Sequence, residues 1–261
     1  MTVSKQTFKI KLPFTMNEFR RGQIYTLCRM MREDVSIIKH SRSKDGNLVR
    51  TESIKELNLS PFIPSAVKSV IPTKACIVEE FSTSIEAILE EDAIALHKFT
   101  EFVQNDEHLV DEHFKRIYKK NSHDCLTVYK NKYYSEKSFR ITITTKVNTD
   151  PNYKVEDSHV KEIDFRTLKS DISLLNVGSR DYTGDWHGKF PIIYVYKTVE
   201  IEVNVFGLGW VSSKINKGLS EQLLEFQINL IKWYDEWKNL SDDELEELEN
   251  DMIKKFYKKI N

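Results

Sequence analysis

Four polar residues interrupt faces that are otherwise apolar in this 261-residue chain: Gln23, Thr145, Lys197 and Glu249. The chemistry open to such a set is the holding of a ligand. An ammonium taken out of water without a counter-charge costs several kcal/mol even after relaxation, so Lys197 needs an internal carboxylate or a bound anion. A ligand phosphate would satisfy it. Taken singly, each residue has an ordinary explanation. Lys197 can snorkel to a sheet edge, Glu249 can face solvent at a stripe margin, and threonine or glutamine often fills a half-buried position. Four coincidences together favour the ligand.

The elements that must position these residues are legible from periodicity. Phe139, Ile141, Ile143, Thr145 and Val147 alternate with Arg140, Thr142, Thr144 and Lys146, the pattern of a strand with one buried face. In a second long strand Lys197 is the lone charge on a face of Ile193, Val195, Val199, Ile201, Val203 and Val205. Gln23 lies on the stripe Phe19, Gln23, Leu27, Met30 of a helix opened by the capping box Thr15–Glu18 and running to about Glu33. Glu249 lies on a last helix opened by the box Ser241–Glu244, among Leu245, Leu248, Met252 and Phe256. A strand through Phe8, Ile10 and Leu12 ends at Pro13. Further strands are predicted at Val35–Lys39, Asn47–Leu57 and Ala75–Phe81, and a helical pattern from Ile85 to about Lys120. After Gly207 and Gly209, the positions Ile215, Leu219, Leu223, Phe226, Leu230, Trp233 and Trp237 step by three and four, so a long helix crosses the sheet.

Composition bounds the function. Charged residues are 30% of the chain and balance to a net charge of −1, which argues against a nucleic-acid partner. The N-terminus lacks an apolar leader and no window approaches the roughly 18 apolar residues of a membrane span, which predicts a cytoplasmic protein. Cys28, Cys76 and Cys125 are too scattered for a disulfide framework and read as reduced thiols. Sparse glycine (8) and proline (6) mark no linker, so residues 1–261 are predicted to form a single domain. Enzyme signatures are poor. Gly207 and Gly209 lack the third glycine of a dinucleotide loop, and His123, Asp124 and Cys125 are chain neighbours rather than a spatially assembled pair. No enzyme activity, cofactor or metal is expected.

The segments FPIIYVYKTVEIEVNVFGLGWVSSKI and LLEFQINLIKWYDEWKNLSDDELEELE carry strand, glycine turn, long helix, paired tryptophans and capping box in one order. With GQIYTL and CLTVYKN they make the chain resemble the phosphatidylinositol transfer protein family, class I type, over nearly its whole length. That resemblance implies an α+β fold of the START-like, helix-grip kind: a curved, mainly antiparallel sheet with long flanking helices enclosing one phospholipid cavity. It implies inositol contacts at Ser53, Lys55 and Glu249, phosphate contacts at Gln23, Thr127, Thr145 and Lys197, and cavity residues near the head group at Cys125 and Phe226. Membrane docking falls to Val205 and Phe206, with Trp210 nearby. A segment at about 84–123 is longer than the family's and helix-patterned, and the family's regulatory loop is cut to roughly Ser179–Phe190.

The function implied is exchange of a single phospholipid between membranes. Phosphatidylinositol is the first cargo and phosphatidylcholine the second, in a monomer that visits membrane surfaces transiently. The alternative is an adaptor that presents phosphatidylinositol to a lipid kinase. The bound phospholipid is the ligand in either case. Ile63–Ile71 and the C-terminal helix are expected to form a movable gate, and Lys254, Lys255, Lys258 and Lys259 either dock on anionic bilayers or favour a helix C-terminus.

Overall fold

In a computed structural model, residues 3–45, 48–60, 72–87, 125–155, 160–164, 176–177, 179–182, 188–204 and 209–258 are described. Alternating N-terminal residues form β1 (Val3–Leu12), which stops at Pro13, a residue with no N–H to give a sheet. Helix α1 (Met16–Met30) follows. Its capping box is present in both directions: Glu18 N donates to Thr15 Oγ1 at 3.1 Å and Thr15 N to Glu18 Oε2 at 2.8 Å. Then come β2 (Val35–Asp45), β3 (Leu48–Asn58), a 3₁₀ turn at Thr73–Cys76, β4 (Ile77–Ala87), β5 (Cys125–Asn131) and β6 (Phe139–Asn148). The short strands β7 (Val160–Asp164), β8 (Asn176–Val177) and β9 (Arg180–Asp181) precede β10 (Ile193–Val203). Three helices follow it: α2 (Gly209–Lys232), α3 (Tyr234–Trp237) and α4 (Asp242–Phe256), the last opened by the Ser241–Glu244 box.

Eight strands make one sheet in the order β2-β3-β4-β5-β6-β10-β1-β7, antiparallel throughout except for the β1–β7 pair. The fold is α+β, as the sequence predicts. Residues directly opposite in such a ladder share a face, so the registers define rows across the sheet. Cys125, Thr145, Lys197 and Phe8 make one row; Ser53, Ser82, Thr127, Ile143 and Val199 make the next; Lys55, Glu80, Tyr129, Ile141 and Ile201 make a third.

The same face is aliphatic on β1, β6 and β10, where Phe8, Ile10, Leu12, Ile141, Val195, Val199 and Ile201 are buried. Helix α2 covers this half with Ile215, Leu219, Leu223, Leu230 and Ile231. Trp237 is fully buried beside them, edge-on to Phe14 and Tyr234. Helix α4 reaches the other half and packs on α1 and β2. Beyond it, Tyr257 bridges to Ile37 and Lys258 N donates to Ile37 O at 2.8 Å, so the tail pairs with the free edge of β2.

Two expectations change. Of the helix stripe Phe19, Gln23, Leu27, Met30 only Phe19 is buried; Leu27 is 50% exposed, and the other buried residues of α1 are Arg20, Gly22, Ile24 and Thr26. Gly22 is the reason: a Cβ there would stand 2.5 Å from Leu230 Cδ1 and 2.8 Å from Trp237 Cζ2, so only glycine lets α1 settle this closely. Strand β4 continues to Ala87, since Ile85 to Ala87 pair with Arg50 to Leu48; the helical segment predicted at about 84–123 therefore does not begin at 84. Its remainder, 88–123, lies outside the described residues, as do the gate segment Ile63–Ile71 and the docking residues Val205 and Phe206.

Candidate functional site

Three neighbouring strands carry the hydroxyls. Thr127 of β5 shares a 3.2 Å hydrogen bond with Ser82 directly across on β4, and Cys125 Sγ lies 3.9 Å from both oxygens. One row along, Lys197 Nζ donates to Thr145 Oγ1 at 3.1 Å. Thr127, Thr145 and Lys197 are thus brought together on one face, as their assignment to a shared phosphate requires. Among the described residues no carboxylate pairs with Lys197. Burial holds its ammonium below the ordinary value, and only Cys125 opposes that.

The neighbouring charges behave differently. Lys55 Nζ donates to Glu80 Oε1 at 2.8 Å across the β3–β4 ladder. Burial pulls Lys55 down, yet the charge and hydrogen bond of Glu80 more than reverse this, and its value lies above the ordinary one. Tyr129, beside Glu80 in the same row, is pushed far up by burial and then by that carboxylate. Glu249 of α4 accepts a 2.6 Å bond from Arg42 Nη1 and approaches His40 Nε2 at 3.6 Å. Burial lowers His40 despite Glu249, with Lys55 and Arg42 adding to the effect, so at neutral pH its imidazole is uncharged. Cys28 of α1 faces the same group: burial pushes its thiol up to about 12, Glu249 acts in the same direction, and Lys55 and Arg42 oppose it.

Ser53, Lys55 and Glu249 therefore belong to one charged cluster, with Ser53 buried on the strand that carries Lys55. Both charged members already have partners inside the protein. Gln23 is half-buried on α1, and its amide makes no hydrogen bond among the described residues; Phe226 is half-buried on α2. Trp210 falls in the first turn of α2.

Sequence reasoning missed Arg42, His40, Glu80 and Ser82. Glu80 lies inside the predicted strand Ala75–Phe81 and Ser82 one residue past its end, and strict alternation with Val78 places both on the inner face. Arg42 and His40 lie past Lys39, where the predicted strand ends, and a bulge between Ile37 and Lys39 hides their facing as well. It inserts one residue and moves the inward phase of β2 from Val35 and Ile37 to His40 and Arg42.

Among the described residues one half of the covered face is apolar and the other holds hydroxyls, paired charges and an ammonium without a carboxylate, an amphiphilic division of one surface. The sequence profile described as phosphatidylinositol transfer protein matches residues 3–93 and 152–254. Phosphatidylinositol transfer protein 1 of Dictyostelium discoideum is 24% identical over 255 residues, spanning 93% of this chain and 90% of that one. Cytoplasmic phosphatidylinositol transfer protein 1 of Homo sapiens is 24% identical over 254 residues, spanning 93% of this chain and 70% of that one. The chain belongs to the phosphatidylinositol transfer protein family, a family of lipid carriers. The profile passes over 94–151, which holds β5, β6, the Cys125 thiol and the hydroxyls of Thr127 and Thr145.

Proposed function

We propose that this protein binds one phospholipid, phosphatidylinositol first and phosphatidylcholine second, and exchanges it between membranes. The observation that carries the reading is a charge count. Among the described residues Arg42 and Lys55 are each neutralised by a carboxylate, Glu249 and Glu80, whereas Lys197 has only a hydroxyl. One phosphodiester supplies the one missing negative charge. It would accept bonds from Lys197, Thr145, Thr127 and the Gln23 amide. The inositol ring, a polyol without charge, would lie against Ser53 and exchange hydrogen bonds with the Lys55–Glu80 and Arg42–Glu249 pairs. Cys125 and Phe226 would flank it. The acyl chains would take the aliphatic half under α2.

Sequestration matters because two chains of about 30 methylenes in total cost on the order of 24 kcal/mol to expose to water. Opening at a bilayer would involve Ile63–Ile71 and α4, the helix that Glu249 ties to β2. The name of the human relative, together with the lack of any helix long and apolar enough to cross a membrane among the described residues, supports a cytoplasmic carrier.

The test is transfer of labelled phosphatidylinositol and phosphatidylcholine between vesicles by wild type, Lys197→Ala and Lys55→Ala. Loss of both lipids in Lys197→Ala, and of phosphatidylinositol alone in Lys55→Ala, supports the reading. Transfer of neither lipid by the wild type overturns it.

A further inference from the structure

Large apolar side chains stand exposed at three places among the described residues: Leu27, Tyr133 and Tyr257. Tyr257 belongs to the tail paired with β2, and Leu27 lies on α1. Tyr133 is different. It sits 53% exposed at the tip of the β5–β6 hairpin, edge-on to Tyr134 with ring centroids 5.1 Å apart.

The tip is built to hold it there. Asn131 Oδ1 accepts from Tyr133 N at 2.9 Å and Tyr134 N at 3.1 Å, while Asn131 Nδ2 donates to Ala75 O at 2.8 Å. On the other side Asn204 N donates to Ser138 O at 2.8 Å and Asn204 Nδ2 to Lys137 O at 3.1 Å. Ser138 N and Phe139 N close the turn on Ser135 O. An aromatic ring held out by so many backbone anchors gives up little further freedom when it enters a second phase.

Charge favours the same destination. From Lys130 to Arg140 the hairpin carries Lys130, Lys132, Lys137 and Arg140 against Glu136, a net of +3 in a chain whose total is −1. Lys130 and Arg140 pair with Glu136, and Lys132 with Glu56 and Glu79, so Lys137 is the cation of this tip with no ion pair among the described residues. A tyrosine flanked by basic residues is suited to the boundary layer of a bilayer, where the ring sits among head groups and the cations meet anionic lipid. The tip also stands at the charged end of the covered face. Glu80 and Tyr129 lie two residues inward from the Val78–Asn131 pair, about 7 Å along the strands.

We propose that the β5–β6 hairpin tip is a bilayer-docking element, with Tyr133 entering the interfacial layer of anionic phospholipid membranes. The proposal rests on the lipid-carrier reading, and the experiment separates the two. Full-length wild type, Tyr133→Ser and Tyr133→Trp are floated with vesicles of phosphatidylcholine containing phosphatidylinositol, and lipid retained by each protein is measured by native mass spectrometry. Tyr133→Ser should lose about five- to tenfold in vesicle partitioning while retaining lipid and melting temperature. Tyr133→Trp should keep partitioning and show added fluorescence quenching by brominated acyl chains relative to wild type. Unchanged partitioning of Tyr133→Ser, or no added quenching in Tyr133→Trp, overturns the docking element. A wild type that takes up no phospholipid overturns the carrier reading, whatever Tyr133 does at the vesicle.

Discussion

Glu249 of α4 and Arg42 of β2 meet at 2.6 Å across 207 residues of chain, and their bond joins the last helix to the first edge of the sheet. Leu245, one turn earlier and almost wholly buried, anchors the same helix by packing. The two attachments should separate experimentally. Glu249→Gln is expected to speed amide hydrogen exchange in Asp242–Phe256 with the rest of the sheet unaffected. Leu245→Ala should cost global stability, about 2–5 kcal/mol in urea unfolding. Equal protection of α4 in wild type and Glu249→Gln would show that the ion pair is not a fastening.

Lys197→Met should stabilise the lipid-free protein, because it removes a buried ammonium with only a hydroxyl for company. The pH dependence has a definite sign. A lysine held below 10.5 in the fold opposes folding at pH values beneath its folded value, and the opposition fades as pH climbs from there to 10.5. The melting-temperature advantage of Lys197→Met over wild type should therefore shrink as pH rises toward 10.5. With phospholipid bound, the advantage should vanish already at neutral pH. Constant differences at every pH would remove the charge argument.

Lys55 and Glu80 can be tested as a pair. Lys55→Met leaves a carboxylate buried against Tyr129 and should cost about 3 kcal/mol or more; adding Glu80→Leu should recover most of it. Transfer of phosphatidylinositol should stay lost in the double variant while phosphatidylcholine continues to move. Recovery of inositol-lipid transfer in that variant would place ring recognition elsewhere.

Gly22→Ala presses a methyl into Leu230 and the Trp237 ring, and should destabilise by about 1–3 kcal/mol. Pairing it with Leu230→Ala should restore part of the loss by making room. Unfolding midpoints of the single and double variants decide it.

Much of this architecture is written in period. The alternations around Thr145 and Lys197 place both on the inner face, and both capping boxes open helices where Thr15 and Ser241 stand. Period fails where the backbone adds a residue or where packing is set by a missing side chain. The bulge at Ile37/Lys39 concealed Arg42 and His40 by reversing the phase of β2. On α1 periodicity predicts burial of the whole stripe from Phe19 through Leu27, yet only Phe19 is buried; Gly22 decides the contact, and a glycine has no hydropathy to reveal it. Glu80 was visible as a strand residue, but its bond to Lys55 depends on the β3–β4 register, which no local pattern specifies.

The pairing of the tail with Ile37 has a meaning of its own. Strand β2 is eleven residues long and lies at the rim of an eight-stranded sheet, a ready template onto which a strand of another molecule can add. Tyr257 and Lys258 occupy its opening residues, and the bulge that follows spoils the straight run a foreign strand would need. The chain thus supplies its own stopper against sheet growth from molecule to molecule, and keeps the long rim at β2 from becoming an adhesive.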